Sequence, residues 1–232
     1  GPGQIRTSAD GMTWTDREAD SDHVWMDVAW GGGRFVAVGS HVATSPDAQS
    51  WTVRSTLRPE YTPAIVYGAG RFVAVGSNGT IISSSDGIDW THSTAKTTRQ
   101  LFDIAWNGST FLAVGDRRTV LKSTDGIDWQ LLNEDSGDPS PGAFSNPYYY
   151  LVWDGARWVV STAGKLITSS DGANWTDLVP HVTNPTGLAF YGGDLVTGTS
   201  TGHLARLSAA GGQPSVAIAP DYRRSPGAGE TY

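Results

Sequence analysis

Short apolar runs come in pairs along this chain, and the pairs recur. Residues 24–30 and 34–39 flank the glycines at 31–33, and the same unit returns at 64–67 with 71–76, 102–106 with 110–115, 150–153 with 157–160 and 187–190 with 194–198. Runs this short, rich in Val, Ile, Phe, Tyr and Trp and bounded by Gly, Asn or Asp, predict β-hairpins. No segment carries a helical period, so no helix is predicted. Aligning the first run of each pair puts Trp30, Tyr67, Trp106, Trp153 and Phe190 in one column and Val28, Ile65, Ile104, Leu151 and Leu188 in another. Both columns are expected to pack one sheet against the next.

A second, polar hairpin follows each apolar pair except the last, and one more precedes them all. Its turns read Ser8-Ala-Asp-Gly-Met-Thr-Trp14, Ser45-Pro-Asp-Ala-Gln-Ser-Trp51, Ser84-Ser-Asp-Gly-Ile-Asp-Trp90, Ser123-Thr-Asp-Gly-Ile-Asp-Trp129 and Ser169-Ser-Asp-Gly-Ala-Asn-Trp175. The tryptophans stand 37, 39, 39 and 46 residues apart, a period of propeller blades. An Asp at the mouth of a tight turn accepts nearby backbone N–H groups, and the Gly after it tolerates a left-handed conformation. The Trp offers a large apolar face to a neighbouring sheet. Asp10, Asp47, Asp86, Asp125 and Asp171, with Trp14, Trp51, Trp90, Trp129 and Trp175, are therefore read as structural.

These repeats resemble the Asp-box, or bacterial neuraminidase repeat, family of β-propellers, in a shortened variant with one residue fewer between Asp and Trp. The second copy has Ala48 where Gly is expected. The resemblance covers residues 5 to about 207 and implies an all-β, five-bladed propeller of four-stranded antiparallel blades, its ring closed by pairing of the N- and C-terminal strands. Six blades is the alternative, because residues 202–207 align with a further third strand and 208–211 with a decayed box. The chain starts in mid-blade: an outer hairpin at 4–17 has no inner hairpin before it. The expected organisation is a tag remnant at 1–3, a single propeller domain at 4–210 and a Gly/Pro/Ala-rich extension at 211–232.

Composition narrows the function classes. The net charge of −7 and the absence of any basic run argue against a nucleic-acid partner. With no cysteine, disulfides, thiolate catalysis and cysteine-held zinc are excluded. The five histidines lack ligand spacing and no phosphate-binding glycine loop occurs, so neither metal nor cofactor is expected. No apolar stretch reaches the length of a membrane span, so no membrane insertion is expected. Ten Trp, 29 Gly and 17% charged residues suit a stiff, turn-rich protein of the outside of a bacterial cell.

Chemistry belongs on the face opposite the box turns, where the loops differ between repeats. The expected ligand-binding set is Trp25, Arg58, Tyr61, Arg99, Arg117, Phe144, Tyr148, Tyr149 and Tyr150, the last four from the long interval 131–150. Aromatic faces stack on sugar rings while arginine and carboxylate groups order hydroxyls, and Arg58, Arg99, Arg117 and Arg118 offer guanidinium groups to an anion. The catalytic signature of sialidases is absent: the arginine-isoleucine-proline motif is missing, and Arg58 is followed directly by Pro59. The reading is a non-catalytic module for a carbohydrate or other small polar ligand. One alternative is a hydrolase using Asp27 and Asp103 as acid and base at a channel mouth. Another is a scaffold for a protein partner.

Overall fold

The structure, a computed structural model, describes residues 4–18, 23–54, 61–94, 96–135, 147–180, 185–191, 193–199 and 204–208. Among the described residues, apart from two single 3-10 turns at Ser77–Gly79 and Asp116–Arg118, the regular elements are all strands. No helix among the described residues is long and apolar enough to cross a membrane. The chain divides into two compact units, Gly1–Tyr149 and Tyr150–Tyr232.

The first unit opens with a two-stranded sheet, β1 (Gln4–Thr7) and β2 (Thr15–Glu18). Three four-stranded antiparallel sheets follow, each in simple meander order. They are β3 (Trp25–Gly31), β4 (Arg34–Gly39), β5 (Val42–Ser45) and β6 (Thr52–Arg54); β7 (Ala64–Gly68), β8 (Arg71–Val75), β9 (Ile81–Ser84) and β10 (Thr91–His92); and β11 (Leu101–Trp106), β12 (Phe111–Gly115), β13 (Val120–Ser123) and β14 (Gln130–Asn133). The second unit holds β15 (Tyr150–Trp153), β16 (Trp158–Ser161), β17 (Lys165–Ser169) and β18 (Thr176–Pro180) in one sheet, and β19 (Pro185–Tyr191), β20 (Asp194–Thr199) and β21 (Leu204–Ser208) in another. Every described pairing joins strands adjacent in the chain.

The second strand of a sheet reads as an unbroken apolar run because both its faces are covered. Val36, Val38, Phe72, Val73, Ala74, Phe111, Leu112 and Val114 are all inaccessible to solvent. In the first unit the cores are shared between sheets: Val36, Val38 and Val42 of one pack with Ile65, Phe72, Ile82 and Trp90 of the next. Ala64, Val73 and Ile81 pack in the same way with Leu101, Phe111, Leu121 and Trp129. Each large side chain so buried stabilises by about 1.5–3 kcal/mol. In the second unit Val159, Leu166 and Leu195 form the core, with Leu188 and Phe190 against it.

The aromatic column packs as expected at two positions and departs at a third. The Tyr67 ring lies directly on Gly31, and Trp106 on Gly68, so close that no side chain fits at either glycine. Trp30 and Val28, the first members of their columns, are instead 54% and 53% exposed.

The polar turns are built as their sequence requires. At Ser84–Trp90 the Ser84 Oγ donates to Asp86 Oδ1 at 3.0 Å and accepts the Gly87 N–H at 2.8 Å. Asp86 Oδ1 also accepts the N–H groups of Ile88 and Asp89 at 2.8 and 2.9 Å. Trp90 Nε1 then donates to the Gly87 carbonyl at 3.1 Å. The same carboxylate bonds recur at Asp10, Asp47, Asp125 and Asp171. Those N–H donors hold all five carboxyls below the usual range, Asp10 at about 2.

Candidate functional site

At the end of the sheets away from these turns, the first strands begin with a bulge: the register shifts between Trp25 and Asp27 in β3 and between Leu101 and Asp103 in β11. Bulges re-aim side chains, and here they turn two carboxylates toward backbone donors. Asp27 Oδ1 accepts the Val28 N–H at 2.8 Å, and its Oδ2 accepts the Ile65 N–H at 2.9 Å from the next sheet. Asp103 Oδ1 accepts the Ile104 N–H at 2.8 Å. Burial pushes the Asp27 carboxyl up, against the pull of its two N–H donors. The geometry makes Asp27 a strap between sheets.

Beside the β3 bulge, the His23 and His41 rings stack with centroids 3.7 Å apart, and Trp25 stands 5.9 Å from His23. The Ser40 Oγ holds the loop by accepting the Val24 N–H at 3.1 Å. Among the described residues no three His, Asp or Glu side chains are grouped to hold a metal ion. Tyr61 is exposed at φ +28, and its carbonyl accepts the Ser77 N–H at 3.2 Å.

The densest polar cluster lies at the third four-stranded sheet. Glu134 accepts a short hydrogen bond from the Thr97 hydroxyl and faces Arg99 Nε at 3.4 Å; Thr97 Oγ1 in turn accepts the Arg99 N–H at 3.0 Å. Thr97 is buried, which fixes the carboxylate it serves. The next residue, Asp135, donates its N–H to the Arg117 carbonyl at 2.8 Å and places its carboxylate 3.4 Å from Arg118 Nε. Tyr148 is buried behind this group; burial pushes its phenol up, with Arg118 opposing and Asp135 reinforcing the shift. Tyr149 rests against Phe102 with ring centroids 5.7 Å apart.

Arg117 and Arg118 occupy left-handed backbone, φ +54 and +53. The corresponding turn of the preceding sheet has Asn78 and Gly79 at φ +55 and +69, the residue types this conformation favours. Arg117 is nevertheless 7% exposed, so the strain is held by its surroundings.

Of the expected ligand-binding set, Arg99, Arg117 and Tyr148 belong to one connected group. Tyr149 flanks Phe102, whereas Trp25 and Tyr61 stand at the first and second four-stranded sheets. Tyr150 begins the second unit, its N–H donating to Ser161 Oγ at 3.2 Å. Arg58 and Phe144 lie outside the described residues. Two features escaped sequence reasoning. Thr97 carries no motif, and the arginines are matched by Glu134 and Asp135, so the group is a set of paired donors and acceptors rather than a bare cationic anion site.

No family model and no curated protein matches the chain. Solved structures do. The chain is similar to YCF48 bound to D1 peptide at 20% identity and a TM-score of 0.64, over 89% of this chain and 73% of that one. To a chain of a nidogen/laminin complex it is 11% identical with a TM-score of 0.63, over 90% of this chain and 87% of that one. An ancestral GH74 enzyme is 12% identical with a TM-score of 0.62; the match spans 94% of this chain and 36% of the enzyme's. At such identities the likeness is one of fold. The chain has the β-propeller fold, and its five sheets opening on an apolar inner hairpin agree with five blades.

Proposed function

We propose that the chain is a non-catalytic recognition module of the Asp-box propeller type, acting outside a bacterial cell and binding a carbohydrate through the face opposite the box turns. The carrying observation is the cluster at the third blade of the first unit. There Thr97, Arg99, Glu134, Arg118 and Asp135 present alternating donors and acceptors next to the Phe102–Tyr149 pair, on the strained Arg117–Arg118 backbone. Matched donors and acceptors suit neutral hydroxyl groups better than a free anion, and an adjacent ring supplies an apolar platform. The test is a glycan-array screen of the protein beside Arg99→Ala and Glu134→Gln. Reproducible binding to a defined glycan, lost in both variants with the fold intact, supports the reading; a blank array for the folded protein overturns it.

A second reading, a scaffold for a protein partner, draws on the neighbours, two of which were solved as a peptide-bound form and a protein complex. The propeller fold suits either role. Surface-plasmon titration with extracellular peptides, blank on the array, would favour it. Hydrolysis by Asp27 and Asp103 draws least support, because both carboxylates already accept backbone N–H groups.

A further inference from the structure

Three described stretches of the chain read Asn-x-Ser/Thr: Asn78-Gly-Thr80, Asn107-Gly-Ser109 and Asn174-Trp-Thr176. The pattern marks an asparagine able to carry a sugar on its side-chain nitrogen. A transferase must reach that nitrogen, the residue between and the hydroxyl two places on. The structure separates the three stretches on this ground. At Asn78 the middle residue is enclosed: Gly79 is buried, and the Thr97 carbonyl oxygen lies 2.0 Å from where a Cβ on it would stand. At Asn174 the nitrogen is engaged, Nδ2 donating to Asp171 Oδ2 at 2.8 Å within a box turn. The middle residue there, Trp175, is tied by its indole N–H to the Gly172 carbonyl at 3.0 Å.

Asn107 differs on each count. It opens the turn between β11 and β12, where its Oδ1 accepts the Ser109 N–H at 3.0 Å, the Ser109 hydroxyl at 3.1 Å and the Thr110 N–H at 2.8 Å. Every side-chain bond that Asn107 makes to a described residue uses this oxygen, which leaves Nδ2 over. Gly108 and Ser109 are exposed, and a Cβ on Gly108 would meet no atom within 4 Å. The turn needs only the oxygen. In the corresponding turn between β15 and β16, Asp154 Oδ1 accepts the N–H groups of Ala156 and Arg157 at 3.0 and 2.8 Å. An amide at position 107 is therefore not demanded by the fold, and a sugar on Nδ2 would leave all three bonds to Oδ1 in place.

We propose that Asn107 is an acceptor site for N-linked glycosylation, taking a sugar from a phosphate-activated donor. Nδ2 bonds to the anomeric carbon, the donor's anomeric carbon–oxygen bond breaks, and the nucleotide or polyprenyl diphosphate carrier leaves. One amide proton passes to a base of the transferase, and nothing is oxidised or reduced. Because successive strands of the sheet run in opposite directions, this turn lies at the same end as the box turn at 124–129. The Asp116–Arg118 turn, with the candidate binding cluster, lies at the other end. A glycan on Asn107 leaves that cluster open, so the assignment stands apart from the carbohydrate-binding reading.

The test is glycopeptide mass spectrometry of the protein purified from the cells that naturally make it, beside Asn107→Asp, Ser109→Ala and Ser109→Thr produced in the same cells. A sugar on Asn107 is expected in the unaltered chain and in Ser109→Thr, and its loss in the other two. A lone hexose identifies a nucleotide-sugar donor, and an oligosaccharide a lipid-linked one. Asn107→Asp keeps an oxygen for the turn, as Asp154 does, so its urea midpoint is expected to match that of the unglycosylated chain. That match separates loss of the acceptor from loss of the fold. An unmodified Asn107 in the unaltered chain overturns the proposal. So does a sugar on Asn107 that survives Ser109→Ala, or glycosylation confined to Asn78 or Asn174.

Discussion

The box turns offer a clean test of packing against backbone strain, because one of the five carries an alanine. The residue after the box Asp is left-handed in every copy, with φ +75 at Gly11, +59 at Ala48, +73 at Gly87, +73 at Gly126 and +80 at Gly172. For a residue with a Cβ this conformation costs about 1–2 kcal/mol, while alanine gains about 0.4–1 kcal/mol over glycine through a less flexible unfolded chain. Ala48→Gly is therefore expected to stabilise by about 0.5–1 kcal/mol. Gly126→Ala reverses that difference and adds a collision: its Cβ would stand 2.7 Å from Val73 Cγ2, 3.0 Å from Arg71 Cδ and 3.2 Å from Phe111 Cε2. Overpacking of this kind costs about 1–3 kcal/mol, so the total loss is about 2–4 kcal/mol. Urea titrations followed by amide exchange at 120–133 and 42–54 read each blade separately, which matters in a chain of two units. Equal and opposite shifts for the two variants would show that backbone conformation alone decides, and would refute the packing argument.

Other consequences follow from the same geometry. The box carboxyls are depressed in the folded state, so their contribution is present above the unfolded value of 3.8 and disappears as the pH falls toward the folded one, about 2 for Asp10. Asp86→Asn with Asp125→Asn should flatten the acid limb of a stability-against-pH curve, and an unchanged limb would exclude these carboxyls as its cause. Asp27→Ala should cost about 1–3 kcal/mol by leaving the Val28 and Ile65 N–H groups without their acceptor, seen as faster exchange of the Ile65 amide. Because the Asp27 carboxyl is raised, its contribution is full below the unfolded value and declines as the pH rises through the folded one. The variant's cost should accordingly be larger at about pH 4 than at about pH 7. Arg117→Asn should raise the urea midpoint, since asparagine holds the equivalent left-handed place at Asn78, while lowering glycan binding.

The blades were legible because their signals are local. Asp86 and Trp90 lie four residues apart and act within one turn, so spacing alone reveals them. The apolar second strands announce themselves by being covered on both faces. The site was less legible because its bonds are long in sequence: Thr97 reaches Glu134 across 37 residues, and no local pattern marks either. Tyr148 lies buried with Arg118 and Asp135 as its charged neighbours, and no local pattern marks that burial. The strained arginines did leave a trace. Gly76-Ser-Asn-Gly-Thr80 aligns with Gly115-Asp-Arg-Arg-Thr119, and replacing the two residues suited to left-handed backbone by arginine is the anomaly that points to the third blade.

Two departures from the repeat thus carry opposite meanings. Arg117 keeps an unfavourable conformation within packed surroundings, and Arg118 shares that conformation while its side chain stays exposed beside Asp135, which supports a role for both side chains. Ala48 keeps the same conformation at the rim of a cavity that Phe35 also lines. Ala48→Leu keeps the left-handed strain and adds a branched side chain at the cavity rim, so it should not raise the urea midpoint, whereas Ala48→Gly should; a rise for both would show that filling the cavity outweighs the backbone conformation.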